Sequence, residues 1–380
     1  VVKLQNQTDS ALNKDQKNPD LQSEVLTDFI LRESPCQLCG SREATIISPV
    51  RFWDLQDANI VRCLQCFHAQ LDPMISEQIN DLGCTAYYMF ERSNSNSREN
   101  FRNSLRSFRR GVAFAHQLKS QNIYPKKVLE LGPGNGFFLA GMKYLMPDLQ
   151  ITVLDIVQEV LDSCKSRFGF SIILSTIHDM SNATSEKFDL IIARDVIEHL
   201  THIDLSIEHI ARCLNPGGHF HFITPLGITD YWVFHTTWKM KNQRSELLIN
   251  HLNYFEGVSL KNFLAKQNLF PVQYYGFGLK SLRQGRGWKK NYEAPLSPGG
   301  TTSAQGTIDR FLNHASEKST SAKSEDGLPE VKDILALWPM SLGSPMITAM
   351  YCSFKQNTFP KIPAERNVGE EIFGLFQLRK

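Results

Sequence analysis

Two groups of residues in this chain have the types and spacing of chemical sites. The first lies in Lys127–Gly136, KVLELGPGNG, where Gly132, Gly134 and Gly136 alternate directly after a short apolar run. Glycine serves a backbone that must turn with φ > 0 and admit a ligand closely, because a Cβ would clash. The spacing is G-x-G-x-G rather than the G-x-G-x-x-G of dinucleotide enzymes. Glu130 stands just before the loop. A carboxylate there repels a pyrophosphate and suits a cationic or amino-bearing ligand. Downstream, Ile151–Asp155 reads as a second strand ending in an acid, and an acid so placed can accept both ribose hydroxyls. The second group is cysteine. Of eight cysteines, four form two C-x-x-C pairs, Cys36/Cys39 and Cys63/Cys66. Two such knuckles place four thiolates tetrahedrally around Zn2+. A redox dithiol and reduced spectator thiols are the other readings, and His68 is an alternative to Cys66 as a ligand. Four protein ligands leave no position for water, so the expected zinc is structural. Its binding, worth about 10 kcal/mol, helps fold a segment too short to build its own core.

From the glycine loop onward the sequence resembles the class I S-adenosylmethionine (SAM)-dependent methyltransferases, whose loop is E-x-G-x-G-x-G and whose second strand ends in Asp or Glu. The resemblance runs in order over roughly 120–275. His178-Asp179-Met180 falls where the family places an acid near the adenine amine. Phe188–Leu200, FDLIIARDVIEHL, is similar to the fourth strand and its loop, and Leu214–Thr224, LNPGGHFHFIT, to the Pro-Gly-Gly turn and fifth strand. The resemblance implies SAM as cofactor and S-adenosylhomocysteine as product. It implies that Glu130, Gly132, Gly134 and Gly136 hold the methionine end, with Arg194 and Tyr88 beside them. Asp155 and its neighbour Ile156 then serve the ribose, and Asp179 with Met180 the adenine. Methyl transfer is an in-line displacement on an already activated donor. The protein must align the partners and remove a proton where the nucleophile carries one.

Two of the catalytic candidates, His199 and His251, follow from the same resemblance, and the third, His235, from its aromatic surroundings. His199 belongs to the family's E-H pair after strand four, which fixes the loop or acts as a base. His251, in HLNYF, matches a recurrent H-x-x-Y/F-F segment. In the enzymes that C-methylate deoxysugars a Glu precedes this His and joins it in proton removal; here the residue is Asn250. His235 lies in the aromatic run Tyr231–Trp238, which could wall a pocket or cap the core. Those sugar enzymes also carry an N-terminal zinc-binding segment, as this chain is expected to. The chain departs from them after residue 280, where no glycine-loop repeat marks a further α/β domain. No Cys follows Pro225, and no N/D-P-P-Y/F follows strand four, so the best-marked nucleic-acid methyltransferase classes are disfavoured.

Placing these residues requires alternating strands and helices. Strands are expected at 127–132, 150–155, 171–174, 188–193 and 218–224, and helices at 136–146, 157–168 and 204–214. Such alternation gives a doubly wound, mostly parallel sheet with its ligand at the C-terminal strand ends. The resemblance adds a seven-stranded count with an antiparallel last strand, the final pair being 270–277 and 346–355. Before the core come a disordered leader at 1–30, a zinc-binding module at 31–70 and a helical cofactor cover at 71–120. The methyltransferase domain is expected over 121–356, with 280–330 as a lid or flexible insertion and 357–380 as a tail. In the helix from Ser97, Phe101, Leu105, Phe108, Val112 and Ala115 share one face, and Arg102, Arg106, Arg109 and Arg110 lie on the other. A charge stripe of that kind is ordinarily a solvated face, with RNA contact as the alternative.

Composition sets the remaining bounds. With 41 basic against 39 acidic side chains, no global basic field calls for nucleic acid. No apolar run approaches the roughly 20 residues that span a bilayer, and the first residues lack a signal-peptide core. The expectation is a cytoplasmic biosynthetic enzyme acting on a small molecule such as a sugar or specialised metabolite. Alternatives are an RNA or protein methyltransferase gripping its substrate through the zinc module, and a catalytically silent SAM-fold binding module.

Overall fold

A computed structural model describes residues 29–52, 56–94, 97–227, 248–249, 251–277, 362–363 and 371–379. In chain order, β1 (Phe29–Leu31), β2 (Glu43–Phe52), β3 (Gln56–Cys63) and β4 (Ala69–Asp72) precede the helices α1 (Glu77–Asn94) and α2 (Ser97–Ser120). Then come β5 (Lys127–Leu131), α3 (Phe137–Leu145), β6 (Gln150–Asp155), α4 (Gln158–Phe168) and β7 (Ser171–Leu174). The short α5 (Met180–Ala183), β8 (Phe188–Arg194), α6 (Ile203–Cys213) and β9 (Leu214–Pro225) complete the parallel part. Last are β10 (Leu248–Ile249), β11 (Asn253–Tyr254), α7 (Gly257–Lys266), β12 (Leu269–Phe277), β13 (Ile362–Pro363) and β14 (Glu371–Leu378).

The large sheet has the order β7-β6-β5-β8-β9-β14-β12, with the two-residue β13 beyond β12. β7, β6, β5, β8 and β9 are mutually parallel; β14 runs antiparallel to both its neighbours, β9 and β12, so β12 points the same way as the five. This is the doubly wound fold of the SAM-dependent methyltransferases. Both faces of its central strands are covered, so they read as continuous apolar runs. Leu129, Leu131, Ile191 and Phe220 look into one layer, and Val128, Val153, Leu190 and Ile192 into the other. The period-two alternation survives in space although it is invisible in composition. On the second layer α2 crosses α3 at close range. A Cβ on Gly111 would overlap the Phe138 carbonyl, and one on Gly141 the Phe108 carbonyl.

The expected strands and helices of the parallel part appear within a few residues of their bounds. The last antiparallel strand is different. Residues 346–355 lie outside the described residues, and the strand between β9 and β12 is Glu371–Leu378, from the stretch expected as a tail. Its Ile372, Leu375 and Phe376 are fully buried. Gly374 admits the Phe222 ring where a side chain would collide with it.

A second, antiparallel sheet has the order β1-β2-β3-β4-β11, with β10 beside β2. Four of its strands come from the N-terminal segment, but β11 belongs to the stretch after β9. The small sheet is therefore stitched to the large one by the chain that links β9 to α7.

Candidate active site and metal centre

Strand order reverses between β5 and β8, and ligands of open α/β sheets bind at such a switch point, outside the carboxyl strand ends. The glycine loop leaves β5 there. Gly134 has φ 55°, and a Cβ built on it meets nothing within 4 Å. Gly136 has φ 72°, and a Cβ on it would sit 2.8 Å from the Phe168 ring. One glycine thus keeps a cradle open, and the other lets α3 start flush against α4. The Gly132 amide donates to Leu154 O at 2.9 Å, tying the loop to β6.

Glu130 and Arg194 face each other across the reversal. Arg194 Nε donates to Glu130 Oε1 at 3.1 Å, and its guanidinium lies 3.7 Å from the centroid of the Phe138 ring. Glu130 is only 1% exposed, and its Oε2 has no partner among the described residues. Burial pushes its carboxyl up to about 7, against the pull of Arg194. Arg194, read from the sequence as a cofactor contact, commits its Nε to this acid.

Asp155 ends β6 as expected. Its Oδ1 accepts the Val157 amide at 2.9 Å, and burial raises its carboxyl to about 6. Ile156 follows it, half-buried. Beyond β7, Asp179 is exposed and accepts from Asn182 Nδ2 at 2.6 Å, whereas Met180 is fully buried. His178 next to them pairs through Nε2 with Glu77 of α1 at 2.7 Å, so α1 reaches over this end of the site. Tyr88 lies on α1, its side chain outside the described residues. His235 and the aromatic run around it are outside them altogether.

The mouth past β8 gathers the other titratable groups. Asp195 takes φ 55° and donates its amide to Ile223 O at 2.8 Å. Glu198 is 1% exposed. Its Oε2 accepts from Thr224 Oγ1 at 2.9 Å, and its Oε1 has no partner among the described residues. Burial raises its pKa, with Asp195 adding to the effect and His251 opposing it. The His199 and His251 rings lie 4.9 Å apart, edge to face. Ligand-capable atoms of Glu198, His199 and His251 all fall within 4.8 Å of one another. Sequence reading sought the carboxylate partner of His251 beside it in the chain, at position 250. The structure supplies Glu198, from the loop after β8. The E-H pair was visible in the sequence, but nothing there joined it to His251.

The four paired cysteines converge as well. Cys36 Sγ lies 3.5 Å from Cys66 Sγ, and Cys39 Sγ 3.5 Å from Cys63 Sγ, with all four sulfurs within 4.8 Å of one another. The two knuckles repeat one design. The Gly40 amide donates to Cys36 O and the Phe67 amide to Cys63 O, and both residues take positive φ, 79° and 62°. His68 is not in the set; its ring is buried and stacked on Phe255, 5.3 Å between centroids. Bonds of about 2.3 Å to a tetrahedral zinc put the sulfurs about 3.8 Å apart, so this donor set fits the ion.

Residues 97–274 match the family model described as "Methyltransferase domain". A malonyl-[acyl-carrier protein] O-methyltransferase of Legionella pneumophila is 28% identical over 149 residues, 38% of this chain and 50% of that one. A ubiquinone biosynthesis O-methyltransferase of Vibrio atlanticus is 26% identical over 111 residues, 28% of this chain and 46% of that one. The chain thus spans about half the length of the curated relatives it matches. Among solved structures, the N-methyltransferase NodS of Bradyrhizobium japonicum, in complex with S-adenosyl-L-homocysteine, aligns with TM-score 0.32 and 22% identity. That alignment covers 43% of this chain and 74% of NodS. The segment that matches the methyltransferase-domain model contains the glycine loop, Asp155 and the Glu198–His251 cluster. No helix among the described residues is long and apolar enough to cross a membrane.

Proposed function

We propose that this protein transfers the methyl group of SAM to a small-molecule acceptor that loses a proton at the Glu198–His199–His251 mouth. The observation that carries this reading is the pairing of two features at the carboxyl ends of the adjacent central strands β5 and β8. An open glycine cradle lies at Gly134, and a cluster of proton-handling side chains lies past the neighbouring strand. SAM fits the residues present. Its ammonium group suits the unpartnered Oε2 of Glu130, and its ribose suits the raised carboxyl of Asp155. Asp179 would border the adenine and Ile156 the ribose, whereas Met180 is fully buried in the core and lines neither. When bound, SAM supplies a methyl carbon on a positively charged sulfur. The chain's own part is to seat the donor, hold the acceptor in line and provide for the loss of its proton at the mouth. Glu198 is the buried carboxylate of this mouth, with ligand-capable atoms of His199 and His251 within 4.8 Å. His199 shares the mouth, and His235 is a further candidate from the aromatic segment. Both curated relatives carry O-methylation in their names, which supports an oxygen acceptor.

The same reading gives the Cys36, Cys39, Cys63 and Cys66 cluster a structural Zn2+, because four thiolates leave no open position. The whole functions as a biosynthetic enzyme of the cytoplasm, with no nucleic-acid partner needed. The test is methyl transfer from labelled SAM into a host-cell extract split into small-molecule, protein and RNA fractions. Label is expected in the small-molecule fraction. Label in RNA or protein overturns the acceptor class and moves attention to the exposed Arg102, Arg106 and Arg110 of α2. SAM binding with no label in any fraction indicates a silent binding module.

A further inference from the structure

The geometry points to a second metal site, distinct from the cysteine cluster: we propose that Glu198, His199 and His251 bind a divalent transition-metal ion that holds the acceptor's oxygen. The inference rests on the methyltransferase reading for its use, though not for its existence. One carboxylate and two imidazoles present ligand atoms within 4.8 Å of one another. They come from two separate stretches of chain, and the backbone fastens those stretches together. The Leu252 amide donates to Glu198 O at 2.9 Å. Asn253 Nδ2 donates to Leu200 O at 2.7 Å, and Asn80 Nδ2 to His199 O at 2.9 Å.

The carboxylate is arranged for such a role. Thr224 Oγ1 donates to Glu198 Oε2, an outer contact of the kind that fixes a ligating carboxylate. The other oxygen, Oε1, is buried with no partner among the described residues, and a buried orphan oxygen is costly to maintain without use. Asp195 adds a second carboxylate at the same mouth, so the cluster gains from a cation. Two His and one carboxylate leave further positions open; imidazole donors suit Fe2+, Ni2+, Cu2+ or Zn2+, and the carboxylate brings Mn2+ within range, whereas an all-oxygen shell would suit Mg2+ or Ca2+. The cysteine cluster is its opposite, a closed set of soft donors.

With the ion in place, an acceptor hydroxyl that binds it becomes more acidic and releases its proton to solvent. The oxygen's electron pair then forms the O–CH3 bond while the C–S bond of SAM breaks. That bond's electrons remain on sulfur and discharge the sulfonium.

Mn2+ is the probe, because thiolate sites select softer ions. The full chain, with its cysteine-bound zinc retained, is titrated with Mn2+, and the resonance of the free ion is followed. One Mn2+ per chain is expected, with affinity lower by at least about tenfold in both His251→Asn and Glu198→Gln. The histidine variant guards against a folding defect in the buried glutamate. Labelled methyl transfer is expected to fall on chelation and return with Mn2+. No Mn2+ binding, or binding that both variants leave unchanged, overturns the proposal. Full methyl transfer in a chelator that spares the cysteine zinc overturns it too, while leaving the methyltransferase reading intact. Failure to bind SAM in a calorimetric titration sinks that reading instead and leaves the cation site to be judged on the Mn2+ data.

Discussion

Asp155 has to be ionised to accept two ribose hydroxyls, yet it sits where burial opposes its charge. Its carboxyl is raised from 3.8 to about 6. Between those values the folded chain holds more proton than the unfolded chain, so this residue makes stability fall as pH rises through that window. Cofactor affinity runs the other way, because the protonated acid loses acceptor capacity as pH drops below about 6. In Asp155→Asn both pH dependences are expected to disappear, and SAM should bind about tenfold more weakly at pH values well above 6. Calorimetric titrations across that range check this; parallel profiles for variant and parent would assign the ribose contact elsewhere. At this scale the sequence was most legible where one local segment fixes the geometry. The alternate glycines and the acid ending β6 needed only strand–turn–helix chemistry to be recognised. Glu198 as the companion of His251 was not legible, because a contact between distant segments leaves no mark in local spacing.

Among the elements, the crossing of α2 over α3 is the tightest joint described. It depends on Gly111 and Gly141, since a methyl on either would meet the carbonyl backbone of the opposite helix. Gly141→Ala is expected to cost about 1–3 kcal/mol by forcing the helices apart. The change would be read as a lower denaturant midpoint at an unchanged slope. An unchanged midpoint would mean that the helices have room to separate. Helical periodicity in α2 revealed its buried face through Phe108, Val112 and Ala115, and its arginines fell on the other side. The glycines were unreadable as contacts, since an isolated glycine in a helical pattern carries no partner's name. β14 was misplaced for a related reason. Two apolar runs, 346–355 and 371–378, could each close the sheet, and periodicity does not rank them.

In the whole molecule, the two sheets meet at the mouth that holds Glu198, His199 and His251. β4 pairs with β11, and the Leu71 amide donates to Leu252 O at 3.0 Å. Gln37, between the first two cysteines, joins Thr201 O and the Ile203 amide. Ser259 of α7 bonds to Cys66 O. The cysteine cluster thereby holds the segments that carry His251, His199 and Glu198, whereas the glycine loop and Asp155, proposed to seat SAM, are built on β5 and β6. Removing the cysteine-bound metal with a thiol-directed chelator is expected to lower methyl transfer by about 100-fold, as displacement of a catalytic group by about 1 Å does. SAM affinity should change by no more than about threefold, within the spread of one hydrogen bond. Matched losses in both quantities, or no loss in either, would show the module to be merely attached. The C-x-x-C pairs announced their own chemistry, but the sequence did not reveal that the module is woven into the core.

The position of β14 also bears on how the chain is made. β9 and β12 leave the ribosome well before the strand that must lie between them. About 90 residues separate the end of β12 from the start of β14. At roughly 5–20 residues per second, β12 waits for about 5–20 s, and β9 longer, with open hydrogen-bonding edges, a template for pairing with another chain. Nascent chains of this protein are therefore expected to need a chaperone during that interval.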